Sequence, residues 1–463
     1  MHRYLILLSS AAVLMTLAGG TGEAAPEAGE PARLTPESAV AIALENQPSL
    51  RAARSEVAAA EADRKTARSG YLPRLDLTED YARSTNPVFV FASKLGQQVF
   101  GPQDFAISSL NEPDPYTNAA TRLVLRQSVW DADRTRLGNR AAKLGISAAT
   151  DGETRARDEV AFDAIKAFWD EVLADEMLQV TRAAEEAARA NRDLAANQEE
   201  AGLAVPSDRM SAEVRLSEVQ AMRIRAEQGT RVARAALRQA LGLSEDRGFV
   251  LSPPEVQAVA AGGEESEESR VTEALSSRPD LRALGWRIQQ AEMGEKIARS
   301  RYVPEVGLGA QMEWNDETLF GRAGSNWTVG ASLRIPLFDG LETSSRVHRA
   351  RADKEKLLAY RDSMTEGIRL EVRAAWADLV SASERLRVAG SALGQADEAL
   401  RVVRERYAEG IAVMVELLGS EAARTSAQGN RATVTRDLAL ARAALDLATG
   451  RSIAAAGEAP AAR

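Results

Sequence analysis

The chain has no cysteine and only two histidines among its 463 residues. Without thiols it cannot form a disulfide framework, a thiolate zinc site, an iron–sulfur cluster or a cysteine nucleophile. His2 lies in a predicted leader, so His348 would be the single imidazole of the mature chain, too few for histidine acid–base catalysis or a multi-histidine metal site. No phosphate loop, metal-ligand spacing or nucleophile–base constellation stands out. We predict that the protein is not an enzyme and uses no metal or cofactor.

An excess of basic charge is also lacking. The 58 Lys and Arg residues are outnumbered by 67 Asp and Glu residues, the formal net charge is −9, and the two signs are interleaved along the chain. This is the wrong electrostatic pattern for a protein that binds nucleic acid. We therefore predict no nucleic-acid partner.

The N-terminus has the pattern of a secretory signal peptide over residues 1–24. Arg3 is followed by an apolar stretch over residues 4–18, and small residues stand at Gly22 and Ala24. An uncleaved membrane anchor is the alternative, but a spanning helix needs about 20 apolar residues. No apolar run of that length follows Ala25. The sequence thus predicts an exported protein with a short N-terminal tail over residues 25–34.

An internal repeat organises the rest of the chain. Residues 47–77 align with residues 278–308 at an offset of 231, and residues 125–242 align with residues 333–450 at an offset of 208. The change of offset places an insertion of 23 residues in the first copy, between about residues 84 and 118. The chain is therefore an internal duplication in which each half runs helix, strand, loop, strand, long helix, turn, helix.

The predicted elements follow from this alignment and from the local periodicity. The first repeat, 35–242, contains a helix at 35–70, strands at about 71–83 and 118–130, a long helix at 131–201, a turn at 202–206 and a helix at 207–242. A linker spans residues 243–270. The second repeat, 271–450, contains a helix at 271–301, strands at about 302–315 and 326–338, a long helix at 340–408, a turn at 409–413 and a helix at 414–450. A C-terminal tail covers residues 451–463.

The long helices carry a coiled-coil pattern. In the second copy, apolar and small residues alternate at steps of three and four through Leu386, Ala389, Leu393, Ala396, Leu400, Val403 and Tyr407. After the turn the same spacing returns through Val434, Leu438, Ala441, Leu445 and Ala448. A helix of about 70 residues would be roughly 105 Å long at 1.5 Å per residue. The pattern predicts long antiparallel hairpins.

The strands alternate apolar and polar residues over ten or more positions, which fits a membrane β-strand. Aromatic residues stand at equivalent strand ends, as a membrane girdle would require, at Tyr71, Trp130, Tyr302 and Phe338. The alternative for these four is packing at a helix-to-strand corner of a soluble protein. Four strands cannot close a barrel and an open edge is not tolerated in lipid, so several copies must share one barrel. Three copies would supply twelve strands.

The chain resembles the TolC-like outer membrane efflux protein family in this duplicated plan and in its short motifs. These are AlaArgSer before Tyr71 and Tyr302, LeuArgIleProLeuPheAspGly at 333–340, AlaGlyLeuAlaVal at 201–205 and GluGlyIleAlaVal at 409–413. The resemblance covers about residues 34–450. It implies a mostly helical homotrimer in the outer membrane lipid of a Gram-negative cell, with a shared 12-stranded barrel above a coiled-coil tunnel that projects into the periplasm.

The same resemblance implies a function and partners. The protein would be the passive exit duct of a tripartite efflux pump or a type I secretion system. It would work with a periplasmic adaptor (membrane fusion) protein and an inner-membrane pump of RND or ABC type. The cargo is left open, because drugs, metal ions and proteins leave through similar tunnels.

The resemblance also implies roles for residues at the periplasmic tip. The adaptor would dock at the two turns, formed by Gly202, Leu203, Ala204, Val205, Gly410, Ile411, Ala412 and Val413. A gate would be formed by Glu416 and Asp208, six residues beyond each glycine, with Tyr407 donating a hydrogen bond to Asp208. An ordinary solvated carboxylate at a helix start is the alternative for both acids. Ala412 and Gly419 depart from the family pattern, where an arginine and a second acid can stand.

Two other classes of protein remain as alternatives. A poreless periplasmic coiled-coil protein would explain the helices but not the alternating strands. An enzyme would have acid–base pairs among many carboxylates, although no constellation stands out. The insertion is predicted either as an external loop or as an element folded back on the barrel.

Overall fold

The computed structural model of the protein describes residues 32–202, 204–244, 248–258 and 266–455. The predicted signal peptide and Leu203 lie outside the described residues. The helices are α1 (Pro36–Asn46), α2 (Pro48–Arg68), α3 (Pro87–Gly96), α4 (Ile107–Asn111), α5 (Arg134–Glu200), α6 (Pro206–Ala240), α7 (Glu267–Ser277), α8 (Pro279–Ser300), α9 (Glu342–Ala408) and α10 (Met414–Thr449). The strands are β1 (Ala32–Leu34), β2 (Arg74–Ser84), β3 (Tyr116–Trp130), β4 (Phe249–Leu251), β5 (Glu305–Asp316) and β6 (Gly324–Arg334).

Two helices of 67 residues, α5 and α9, run the length of the helical part. Each folds back on a partner, α5 on α6 and α9 on α10, and α10 also packs against α5. In the half toward the two turns the helices therefore lie in the order α6, α5, α10, α9. In the half toward the strands, α2 packs on α5, α5 on α8, and α8 on α9. One chain thus contributes four helices at each level.

Small and apolar side chains form the seams between these helices. The predicted seam of α9 is at least half-buried at every position, and Ala389 and Leu400 are fully buried. On α10, Val434, Leu438 and Leu445 are buried in the same way. Alanine allows the helix backbones to approach closely, and the leucines fill the space between them.

The prediction of continuous helices at 35–70 and 271–301 was wrong. Each is two helices that are interrupted at one extended residue, Gln47 with φ −62° and ψ 124° and Arg278 with φ −60° and ψ 124°. Pro48 and Pro279 follow directly. Proline has no N–H to donate and disfavours helical geometry in the residue before it. The helix therefore ends and restarts at both places.

The interruption builds the same junction in each repeat. The Gln47 side-chain amide donates to the carbonyls of Gln239 and Ala240 at 2.8 Å, and the Arg278 guanidinium donates to the carbonyl of Ala448 at 3.2 Å. These carbonyls belong to the last turns of α6 and α10, which lack helical partners. Both helix breaks therefore cap the helix that returns from the tip.

A belt of short elements surrounds the middle of the helices. The prediction of an N-terminal tail was wrong for Ala32–Leu34, because these residues form β1. This strand pairs in parallel with β4, which lies in the predicted linker. Leu34 packs in one buried cluster with Phe168 and Trp169 of α5. The predicted C-terminal tail returns to the same cluster through Ile453 and Ala454, so the chain ends of the described region are held by long-range packing.

The other four strands form one antiparallel sheet in the order β2, β3, β5, β6. One face is apolar, with rows such as Leu77, Leu123, Met312 and Trp327 running across all four strands. The opposite face is polar, with rows such as Thr78, Arg122, Glu313 and Asn326. Arg122 joins this face by ion pairs to Asp80 and, at 2.7 Å, to Glu313. The strands begin at 74 and 305, after Pro73 and Pro304, rather than at 71 and 302.

No helix in the described part of the chain combines the length and the apolarity that crossing a membrane would require. The insertion between β2 and β3 contains α3, a 3-10 turn at Pro102–Phe105 and α4, and α3 packs against β3, β5 and β6. Of the two predictions for this segment, the element folded back on the strands is the one observed.

Two glycines with the same backbone conformation provide a test of the repeated junction. Gly242 (φ +69°) and Gly202 (φ +71°) are both left-handed, but a Cβ at Gly242 would lie 2.8 Å from the carbonyl carbon of Asn46, whereas a Cβ at Gly202 would meet nothing within 4 Å. We expect Gly202→Ala to cost about 1–2 kcal/mol from the positive φ. Gly242→Ala should cost about 1–3 kcal/mol more from the clash.

The measurement is thermal unfolding of the two purified variants beside the unmodified protein. A larger decrease in midpoint for Gly242→Ala is expected. Equal decreases would mean that the contact between the glycine and the helix break does not support the fold.

Candidate functional site

The two helical hairpins end in similar turns, where α5 meets α6 and α9 meets α10. Gly202 and Gly410 have φ of +71° and +74°. In the second turn, Ile411 N–H donates to the carbonyl of Arg406 at 2.8 Å, which satisfies the end of α9. This left-handed glycine cap lets two antiparallel helices join with few residues.

The predicted docking residues differ in exposure. Val205, Ile411 and Val413 are well exposed apolar side chains at the turns. Ala412 is buried, and its N–H donates to the carbonyl of Arg406 at 3.1 Å. The prediction of Ala412 as a docking surface residue is corrected accordingly: in the folded chain its side chain lies inside the turn, and its neighbours form the accessible apolar surface.

The predicted hydrogen bond from Tyr407 to Asp208 was wrong in its acceptor. The Tyr407 hydroxyl donates to the Oε1 atom of Gln198 at 2.7 Å. Asp208 lies in the first turn of α6 and is half-buried. Burial, and then the negative charge of Asp208, raise the pKa of Tyr407. Tyr407 therefore links α9 to α5 as a neutral donor, and Asp208 acts on it through its charge.

Glu416 lies in the first turn of α10 with about half of its side chain exposed. Its Oε2 atom is 4.0 Å from the Nη1 atom of Arg406, at the limit of an ion pair. Asp208 has the corresponding place in α6, so each chain presents one carboxylate just beyond each turn. Both positions also suit the favourable field of a helix N-terminus.

A buried carboxylate near the tip was missed from the sequence. Glu421 accepts a hydrogen bond from the Asn191 amide of α5 at 2.6 Å and one from the Arg404 guanidinium of α9 at 2.9 Å. It therefore joins three helices. The signal available in the sequence was its position two turns beyond Met414 and one turn beyond Leu417 in the buried stripe of α10, where an apolar residue is expected.

Apolar packing supports these polar contacts. A buried cluster fills the space between the two hairpins near the turns and consists of Ala195, Ala212, Leu400, Met414, Leu417 and Leu418, with Val403 and Tyr407 packed against it. The hairpins are thus held together at the tip by one small core and two groups of hydrogen bonds. Nearby, and elsewhere in the described residues, no three His, Asp or Glu side chains are placed to hold a metal ion.

The four predicted girdle aromatics lie at the same end of the sheet. Tyr71 precedes β2, Trp130 ends β3, Tyr302 precedes β5 and Phe338 follows β6, and this is the end nearest the long helices. All four side chains are half or more exposed. Such exposure argues against buried packing at a corner, and their common level suits an interface between water and lipid.

Comparison with known proteins agrees with this architecture. The chain belongs to the outer membrane efflux protein family, whose model matches residues 39–243 and 271–451, one match for each repeat. The predicted family is thereby confirmed, as are an outer-membrane location and a function in efflux or secretion.

Several relatives and solved structures cover most of the chain. The alkaline protease secretion protein AprF of Pseudomonas aeruginosa is 24% identical over 88% of this chain and 83% of its own length. Protein CyaE of Bordetella pertussis is 26% identical over 89% and 84%. The fold is similar to the Campylobacter jejuni CmeC outer membrane channel, with a TM-score of 0.76, 17% identity and coverage of 90% of this chain and 86% of that one. The proteins of this family are transport channels.

The repeat offers a matched test of the buried carboxylate. Glu213 is equivalent to Glu421, but its ion pair with Arg209 at 2.6 Å is partly exposed. We expect Glu421→Ala to leave the buried Asn191 amide without its acceptor and to remove the contact to the half-exposed Arg404 guanidinium, at a cost of about 1–3 kcal/mol. Amide hydrogen exchange in the turns should then accelerate by about tenfold or more.

Glu213→Ala should change that exchange rate little, because exposed ion pairs contribute about 0–1 kcal/mol. Hydrogen–deuterium exchange with mass spectrometry of peptides from both turns measures the effect. Equal acceleration in the two variants would show that Glu421 has no special role at the tip.

Proposed function

We propose that this chain is one subunit of a homotrimeric channel that forms the passive exit duct of a tripartite efflux pump or type I secretion system. A periplasmic adaptor would dock at the tip, and an inner-membrane pump of RND or ABC type would supply the energy. The observation that carries the proposal is the sheet, which has one exposed apolar face, one polar face and two outer strands.

Closure of the sheet supports the trimer. The apolar face would contact lipid and the polar face would line a water-filled lumen. In lipid, the outer strands β2 and β6 must pair with other strands, and in a symmetric ring β6 of one copy would pair with β2 of the next. Three copies supply twelve strands, and the same three copies supply twelve helices at each level of the tunnel.

Two exposed stripes on the outer helices support the same assembly. On α6, Met210, Val214, Ala221 and Ile224 are exposed and share one face at heptad spacing. On α9, Val388, Ala392, Ala399 and Val402 form a similar exposed stripe. Both lie within about six turns of the tip, so α6 of one copy and α9 of the next could form a further antiparallel coiled coil.

The tip would then be both the docking site and the gate. Exposed Val205, Ile411 and Val413 offer apolar contacts to adaptor hairpins. Three copies of Glu416, and of Asp208 beside them, would surround the axis and favour cations over anions. The contacts of Tyr407 and Glu421 between the two hairpins would stabilise the closed state of this gate. Docking would straighten the coiled helices and widen the ring.

The names of relatives fit either export route. AprF is named for secretion of an alkaline protease, and a relative from Brucella suis is named outer membrane efflux protein BepC. A poreless coiled-coil protein does not account for a four-stranded sheet with an exposed apolar face, since such a face is costly in water.

The gate is tested by single-channel conductance of purified protein in planar bilayers. We expect small, cation-selective currents from the unmodified protein and larger, less selective currents from Glu416→Ala, because the ring of negative charge is lost. Glu366→Ala, which removes a highly exposed carboxylate in the middle of α9, is the matched control and should change neither property.

If Glu416→Ala leaves the currents unaltered, the protein still forms a duct, but Glu416 is not its gate. If a folded oligomer gives no channels at all, the proposed duct is wrong and the poreless coiled coil becomes the better explanation.

The assembly is tested by the stripe on α6. Ile224→Asp should weaken the trimer, because a carboxylate would be buried in the seam between copies. Met222→Asp changes an exposed apolar residue on a different face of the same helix and should leave the trimer intact. Native mass spectrometry in detergent measures the trimer fraction. Loss of trimer in both variants, or in neither, would contradict the proposed seam.

A further inference from the structure

We propose that the insertion, defined as residues 85–115, closes the outer end of the channel by apolar contact among its three copies. The inference rests on the proposed trimer and adds a second closure at the opposite end from the periplasmic tip. The occupant of the exposed apolar surface of each insertion is a second copy of the same segment.

The insertion lies on the polar face of the sheet. Asn118 and Asn315, which are hydrogen-bonded side chain to side chain at 2.9 Å, belong to that face at the ends of β3 and β5. The end of α3 covers them, because a Cβ at Gly96 would lie 3.2 Å from the Asn315 side chain. A Cβ at Gly324, on the same face of β6, would lie 2.1 Å from the carbonyl oxygen of Gly96.

Gln97 fixes this position. It is 2% exposed, and its side-chain amide donates to the carbonyl of Thr117 and to the side chain of Asn118, both at 2.9 Å. Its Oε1 atom accepts from the Tyr116 hydroxyl at 2.6 Å. A buried amide with its donors and acceptor satisfied holds a segment in one orientation. The insertion is therefore anchored over the face that would line the lumen.

The insertion is internally packed. Phe91, Phe100 and Phe105 form a chain of edge-to-face contacts with ring centroids 4.9 and 5.1 Å apart. Lys94 forms an ion pair with Asp104 at 2.6 Å, and its ammonium lies 5.5 Å from the centre of the Tyr116 ring. These are the only charged residues between positions 86 and 111. Between residues 86 and 111 the segment thus presents a surface whose two charges are paired with each other, and the exposed carboxylates of Glu112 and Asp114 follow only at its end.

That surface is strongly apolar and open in a single chain. Val88 and Ile107 are each 77% exposed and Phe105 is 68% exposed. On the lumenal side no lipid is available to cover them, and exposure of apolar area to water is unfavourable. The other two insertions surround the same axis and extend from the same face of one continuous barrel. They are the apolar partners that this position offers.

An apolar constriction is also a barrier to ions. A narrow ring of valine, isoleucine and phenylalanine side chains disfavours water and so lowers ion conduction without any charge. The outer closure would therefore differ in kind from the acidic ring at the tip. The outer lipid leaflet is the competing occupant of this apolar surface. The experiment below distinguishes lipid from a second copy of the insertion.

Cross-linking tests the meeting of the copies directly. The chain has no native cysteine, so any cross-link in a single-cysteine variant joins two copies. We expect bismaleimide cross-links between protomers of the purified trimer in at least one of Val88→Cys, Phe105→Cys and Ile107→Cys. Val329→Cys, in the middle of β6 on the apolar face, is the matched control and should give none.

Conductance tests the closure in the same preparations. In the Glu416→Ala background, where the tip no longer limits the current, the added pair Val88→Asp and Ile107→Asp should raise single-channel conductance severalfold, because charge would wet the constriction. Ser109→Asp adds an exposed carboxylate to α4 without removing an apolar group and should leave the conductance unchanged.

Trimers that conduct, give no cross-link at any of the three positions and do not respond to the aspartates would overturn this inference while the proposed duct stands. Protection of the three positions by lipid, seen as labelling of their cysteines in detergent but not in liposomes, would instead assign the surface to the outer leaflet. If no trimer forms, the proposed function and this inference fail together.

Discussion

The rest of this structure depends on one constraint, which is that the sheet has an exposed apolar face and an open edge on each of its outer strands, β2 and β6. Neither water nor lipid accommodates it as a single copy, because water opposes the apolar face and lipid opposes the open edges. Closure with further copies satisfies both at once. In the proposed assembly the long helices would continue the strands below the membrane, and their order in one chain leaves apolar stripes on the two outer helices. The open strand edges and the exposed helical stripes would therefore both be covered by neighbouring copies in the same symmetric ring.

The internal duplication explains how one chain forms so long a structure, because the same helix junction is used twice. The junction at Gln47 and Gly242 recurs at Arg278 and Gly450, with a side chain capping the returning helix in each copy. Because the two copies share this junction, their hairpins lie side by side with the turns at the same level. The repeat thus sets the geometry of the proposed tunnel, and the two copies differ at positions that would serve its function.

Those differences concentrate at the two ends. At the tip, the second copy supplies Tyr407 and buried Glu421, while the first supplies their partners Gln198 and Asn191. At the other end, only the first copy has the insertion that covers the polar face of the sheet. An apolar surface at one end and a ring of carboxylates at the other would give a duct two barriers of different chemistry. This suits a passive channel that must stay closed between transport events.

The sequence by itself determined the elements that depend on local pattern. The duplication, the heptad seam of α9, the glycine turns and the alternating strands are all properties of residues close together in the chain. The helix breaks at Gln47 and Arg278 also had a local cause in the following prolines, although the repeat pattern concealed it. The family resemblance rested on these same local motifs and their order.

Only the tertiary structure decided which distant residues meet. The acceptor for Tyr407 is Gln198 rather than Asp208, Glu421 is buried between three helices, and the insertion folds back across the polar face through Gln97. These contacts join residues about 20 to 230 positions apart, and periodicity carries no information about such pairing. The burial of Ala412 likewise depends on how the turn after Gly410 folds inward. The sequence periodicity therefore determines which face of each helix or strand is apolar, and tertiary packing determines which element lies against that face.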